Sequence, residues 1–337
     1  MSTVVAVVLF FGVTTYAVFA GADFGAGFWD LIAGGTERGR RPRGLIEHSI
    51  GPVWEANHVW LIFCLVVLWT GFSIAFQSIM LTLFVPLTLA ALGIVLRGSG
   101  FAFRKSVVVT RQQRLYGAIF ASSSVLVPYC MGAVAGAIAS GRVPSGGEAG
   151  DWWTSWVNPT SVLGGVLAVA VCAFLSSVYL IADADRLEQP EMAEYFRTRA
   201  VAAAVVTGVI AFIGIFVLHA DAPYVFHGLT SRALPVVILS ALCGLGSLWM
   251  LLRGARRVAR PLAMVAVAAV VVGWGIAQWP YILPESLKVS EAAAPDATLG
   301  TILFVFVLAA VLILPSLAWL YYLDQQSALA EEGATST

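Results

Sequence analysis

Glu55 stands where a membrane-spanning helix would ordinarily carry leucine or valine. It belongs to a packet of polar and aromatic groups, Trp54, Glu55, Asn57, His58 and Trp60, at the start of the apolar run that ends near Gly71. On a helix Glu55, His58 and Ile62 share one face, because residues three and four apart are neighbours, so an acid and an imidazole can meet there. A carboxylate within hydrocarbon is costly and usually faces a bundle interior or a water-filled cavity, which points to a proton or substrate path. The alternative is that Glu55 sits at the lipid headgroups and only caps or orients its helix. Pro52 and the Arg-rich stretch before it favour a position inside the span.

A second acid lies at a comparable depth. The first apolar run closes with Gly21-Ala-Asp-Phe-Gly-Ala-Gly-Phe-Trp-Asp, and Asp23 is six residues to the membrane side of Trp29. At 1.5 Å per residue that is roughly 9 Å inside an interfacial tryptophan, and Glu55 is roughly 10 Å inside from His48 on the same side. Two carboxylates on adjacent antiparallel spans, held close, would share a proton and serve as a relay. Against this stands a local role for Asp23, as the N-cap of a separate short helix or bonded to nearby backbone.

Other chemistry is poorly supplied. Glu55-Ala-Asn-His58 matches the Glu-x-x-His element of di-iron bundles, but no second copy exists. The four histidines, His48, His58, His219 and His227, are few for haem ligation, and none is expected to hold haem here. Cys64, Cys130, Cys172 and Cys243 are scattered within apolar runs, which suits small apolar packing and not a disulfide, zinc or iron–sulfur site. Phosphate-loop, dinucleotide and His-Glu-x-x-His motifs are absent from the sequence.

The elements that must position these residues follow from composition. Of 337 residues, 59% are hydrophobic and 11% charged, which describes a polytopic membrane protein and excludes an ordinary soluble domain. Apolar runs of spanning length fall near 3–32, 52–72, 74–97, 116–138, 158–181, 200–220, 232–252, 261–280 and 299–323. Nine transmembrane helices are expected, the first retained because no basic leader precedes it. Spans two and three, joined around Thr70 to Ser73, are expected to form an antiparallel hairpin. Pro86, Pro128 and Pro315 lie within spans and allow kinks. Gly21, Gly25, Gly164, Gly165, Gly244 and Gly246 would let helices approach closely.

Charge sets the orientation. Counting from Arg38 to Arg43, Arg97 to Arg114, Arg186 to Arg199 and Arg253 to Arg260, sixteen of the nineteen basic residues fall in alternate loops. Only Arg142, Arg232 and Lys288 belong to the other side. Short cytoplasmic loops collect Lys and Arg, so the N-terminus is expected outside and the C-terminus inside. Trp152, Trp153, Trp156, Tyr224, Phe226, Trp279 and Tyr281 suit an outer aromatic belt. The tail, residues 325–337, is small and polar and expected to be disordered.

Three motifs together carry a resemblance: Gly21 to Asp30 closing span 1, Ser49-Ile-Gly-Pro-Val-Trp-Glu-Ala-Asn-His-Val-Trp60 entering span 2, and Arg97-Gly-Ser-Gly-Phe-Ala-Phe-Arg104 leaving span 3. In order and spacing they resemble subunit II of the cytochrome bd-type quinol oxidases, strongly over the first third of the chain and elsewhere in span count. The resemblance implies two four-helix bundles, 1–138 and 139–280, then an outer loop and ninth helix, 281–324. It implies a bacterial-type plasma-membrane complex with a haem-bearing subunit I that holds haems b and d, oxidises quinol and reduces oxygen to water. Protons for that water come from the cytoplasm, partly through subunit II. Asp23 and Glu55 match the family's intramembrane acids, with His58 beside them in the proton path. Arg97 matches the arginine of the third motif, and Trp54, Asn57, Trp60 and Arg104 complete the motifs as support. In better-known members the span-2 acid is Asp, and a further acid stands where this chain has Ala102, so that part of the path differs. Members also bind a quinone in subunit II, and no residue here shows one. A proton-coupled transporter or a passive scaffold subunit are the competing readings.

Overall fold

The computed structural model describes residues 1–35, 37–50, 54–106 and 110–325; side chains of residues 54–56, 105, 106, 110 and several beyond 313 lie outside that description. The expectation of a disordered tail at 325–337 falls almost wholly outside the described residues.

The chain is almost entirely helical. Helix α1 (Ser2–Leu31) is followed by α2 (Arg40–Ile50), α3 (Trp54–Gly71), α4 (Ser73–Thr82), α5 (Phe84–Ser106) and α6 (Thr110–Ala139). Then come α7 (Pro159–Arg186), α8 (Pro190–Asp221), α9 (Pro223–Thr230), α10 (Leu234–Leu252) and α11 (Arg256–Gln278). A small hairpin, β1 (Tyr281–Leu283) and β2 (Leu287–Lys288), and a single turn, α12 (Val289–Ala292), lead into α13 (Asp296–Gln325). Among the described residues eight helices are long and apolar enough to cross a bilayer, and α3 with α4 makes a ninth if that bent pair is one span. The nine expected spans thus compare with eight or nine candidate helices among the described residues.

Local chemistry sets several boundaries. Asn158 caps α7 by accepting the Ser161 N–H at 2.9 Å, with Pro159 at the first helical position, where its missing donor is harmless. α2 buries Pro42, Leu45, Ile46 and Ile50, a helical stripe, against the bundle while Arg40 and Arg41 stay exposed. Pro86 has no N–H for the Thr82 carbonyl and crowds it, and the helix breaks at Leu83 in consequence. The third span is therefore Phe84–Arg104, lying later than the 74–97 run. α3 and α4 turn by 118° about the buried Phe72, so the junction at Thr70–Ser73 is a sharp elbow short of a fully antiparallel hairpin. Gln77, Ser78 and Thr82 on α4 hold the loop between α6 and α7, through Gly147 O (2.7 Å), Gly147 N (3.0 Å) and Gly150 N (2.9 Å).

α7 is the most enclosed span, with 56% of its most apolar window buried, against 11% for α8 and α10 and 6% for α13. α1 packs on α3, α6, α7 and α11; α6 bridges α5 and α7; α7 also meets α8 and α11; α10 lies on α11. The outward faces of α8, α10 and α13 carry valine, leucine and phenylalanine, as lipid or another apolar surface requires.

The α1–α7 crossing depends on Gly25. A Cβ there would stand 1.8 Å from the Cys172 carbonyl oxygen, which is backbone and cannot step aside. Gly164 likewise faces the Gly132 carbonyl at 2.4 Å, whereas Gly244 has nothing within 4 Å and serves no close approach. Gly25→Ala is expected to lower stability by about 1–3 kcal/mol, the ordinary range for overpacking. Thermal unfolding in detergent would check it, and an unchanged midpoint would mean the crossing has slack.

Candidate functional site

Asp23 lies in the interior of α1, which removes the N-cap reading, and its charge partner is Arg97 of α5. Arg97 Nη2 donates to Asp23 Oδ1 at 2.9 Å and to the Asp23 carbonyl at 3.2 Å. Its Nε donates to Ser124 Oγ at 3.0 Å, and Ser124 in turn donates to the Phe120 carbonyl at 2.7 Å. The guanidinium lies 4.9 Å from the Phe24 ring centroid and 5.0 Å from that of Phe120. Arg97 is 1% exposed and Asp23 7%, so the pair is buried, and both residues lie in helices long and apolar enough to span a membrane. Desolvating two such ions is costly, and the added hydrogen bonds and aromatic faces are what offset it. Counting Arg97 among the loop arginines was therefore wrong: it sits inside a span and carries no information on orientation.

The neighbour expected for Asp23 was Glu55. Glu55 and Trp54 belong to α3, but their side chains fall outside the described residues. The nearest partner seen is a cation, not a second carboxylate. Asp23 Oδ2 is buried and has no hydrogen-bond partner among the described residues.

The rest of the α3 packet faces α1. Asn57 is buried, and the His58 ring lies 5.9 Å from Phe24 and 6.4 Å, edge-on, from Tyr16. Phe24 thus touches both Arg97 and His58, which brings the imidazole beside the ion pair. Trp60 packs between Phe11 (5.8 Å) and Phe63 (6.2 Å). Ile62 is exposed, so the 55/58/62 stripe turns outward at its far end.

Asp30, which the sequence reading passed over, organises the end of α1. Its Oδ1 accepts from Arg43 Nε at 2.7 Å and its Oδ2 from Arg104 Nη1 at 2.6 Å. Arg104 also meets Glu47 at 2.9 Å, and Arg43 donates to the Gly34 carbonyl at 2.7 Å. The cluster clamps α2 across the ends of α1 and α5. Asp30 is seven residues beyond Asp23, two helical turns or roughly 10 Å along the same face. That heptad spacing was a visible signal; the arginines that answer it come from elsewhere in the chain. A surface rim of ion pairs continues the cluster, Arg41 with Glu191 and Arg256 with Asp185 and Glu194.

No three of His, Cys, Asp and Glu converge among the described residues, and the four cysteines are unbridged.

The model of the family described as cytochrome bd terminal oxidase subunit II matches residues 1–324. The chain is 26% identical to cytochrome bd-I ubiquinol oxidase subunit 2 of Escherichia coli K12, across 91% of this chain and 89% of that one. It is 25% identical to cytochrome bd ubiquinol oxidase subunit 2 of Bacillus subtilis over a shorter stretch, 45% of this chain and 44% of that one. In the solved bd oxidase of Geobacillus thermodenitrificans, one chain shares the fold with a TM-score of 0.74 at 22% identity, covering 96% of this chain and 98% of that chain.

Proposed function

Since this chain belongs to the cytochrome bd terminal oxidase subunit II family, we propose that it is the haem-free subunit of a bacterial membrane quinol:oxygen oxidoreductase, supporting a haem-bearing subunit I and carrying protons toward it. The buried Asp23–Arg97 pair, two turns above the Asp30 cluster, is the observation that supports the proton role. Asp30, Glu47 and their arginines form a polar mouth. Asp23, Glu55 and His58 are the groups that take up and pass protons above it, and Arg97 fixes Asp23 while Trp54, Asn57, Trp60 and Arg104 hold the helices. Residues 1–138 and 139–280 form the two four-helix units, and 281–324 the loop and last helix.

Haems b and d, in the partner, supply electron transfer to oxygen. This chain does not suit them: the ring of His58 is packed between Tyr16 and Phe24, and His48, His219 and His227 stand at or near helix ends. The chain purified alone is expected to lack haem absorbance, whereas the co-purified complex shows it and oxidises quinol. Stoichiometric haem on the isolated chain would refute the assignment.

The termini lie on opposite sides, N outside and C cytoplasmic. Single cysteines placed near Arg41, Arg111 and Arg257 should be shielded from an impermeant thiol reagent in intact cells, and one near Gly147 should label. Labelling near Arg257 without permeabilisation would overturn the nine-span count.

A further inference from the structure

Two oxygens in the interior of α1's neighbourhood are left over by the ion pair. Asp23 Oδ2 is one, and the hydroxyl of Tyr16 is the other: both are buried, and neither has a hydrogen-bond partner among the described residues. They stand seven residues apart on one helix, hence on one face and two turns apart, roughly 10 Å in rise. The Tyr16 hydroxyl is buried, and its side chain packs against the cluster of Ala20, Phe24, Val127 and Cys172. The His58 ring flanks the interval, against Tyr16 on one side and Phe24 on the other. Orphaned buried oxygens are rarely tolerated, and ordered water is their usual partner.

We infer that Tyr16 and Asp23 bracket a site for ordered water, and that Tyr16 is a positioning residue which extends the proton path two helical turns beyond Asp23, alongside His58. This rests on the proton-carrying reading above. A phenol suits the task because its hydroxyl both donates and accepts, so it can orient a water without holding net charge. An unused hydroxyl in this position would be a liability that phenylalanine would relieve at no loss of packing.

The test uses the intact oxidase complex with Tyr16→Phe and, separately, Asp23→Asn. Haem content, unfolding midpoint, oxygen consumption, the rate of proton uptake after flow mixing with oxygen, and the infrared carboxylate band lost in Asp23→Asn are recorded. Tyr16→Phe should keep haem and midpoint, slow proton uptake roughly tenfold, what the loss of one hydrogen bond corresponds to, and shift the Asp23 band. Tyr16→Gln, which restores a hydrogen-bonding group, should recover part of the rate. If Asp23→Asn slows uptake and Tyr16→Phe matches the parent in rate and band, the Tyr16 inference fails and the proton path stands. Parental rates in both variants would overturn both. Loss of haem in Tyr16→Phe would make the residue a packing element and overturn the inference.

Discussion

Arg97→Ala is expected to destabilise the chain by about 3–5 kcal/mol, the usual penalty for leaving a buried charge without its partner. Asp23 would then lose its cation within the membrane, and Ser124 and two aromatic faces would lose what they hold. The purified complex should unfold at a lower temperature or fail to assemble. The double variant Asp23→Leu, Arg97→Met removes both charges and should recover much of the stability, since an apolar pair of similar volume is often neutral in such a place. Recovery of stability without recovery of oxygen consumption would separate the structural work of the pair from its part in proton transfer. An Arg97→Ala complex as stable as the parent would mean that solvent reaches the pair.

Glu55→Gln is expected to leave assembly and partner haem intact and to lower quinol oxidase turnover by roughly a hundredfold, the lower bound for losing a positioned acid or base. Glutamine keeps the shape and hydrogen bonding of the side chain but cannot pass a proton through a deprotonated state. Glu55→Asp, which keeps an ionisable oxygen, should retain more activity. A carboxylate at a membrane helix that has no functional use is a cost, so a purely structural chain should tolerate or welcome its removal. Oxygen consumption per haem decides: equal turnover in all three complexes removes Glu55 from the mechanism.

Hydropathy and charge placement made the spans legible, because a bilayer imposes length and apolarity on every helix that crosses it. The family followed from three motifs in the first hundred or so residues, and membership removes the transporter alternative. Less visible was anything depending on a distant partner. Arg97 reads as a loop cation beside Arg104 until α1 supplies Asp23, and Asp30 reads as the end of a motif until Arg43 and Arg104 close on it. The break at Leu83 was written in Pro86, but an apolar run on both sides hid it. α2 was hidden for the opposite reason: its many arginines mask a buried stripe of Pro42, Leu45, Ile46 and Ile50.

The central position of α1 bears on how the chain is made. Asp23 is bound by a residue 74 positions later, and Trp29 donates to the Ala173 carbonyl 144 positions later. At about 5–20 residues per second of synthesis, Arg97 reaches the ribosome exit some 4–15 s after Asp23, and Ala173 later still. A helix made early is thus among the last to be finished. Until α5 arrives its acid stands uncompensated in or beside the bilayer, and until α7 arrives Gly25 lines an open groove. Slowed translation between codons 23 and 97 is therefore expected to lower the yield of full-length chain in the membrane, with quantitative immunoblotting as the check, and an unchanged yield would mean that the lone helix is tolerated.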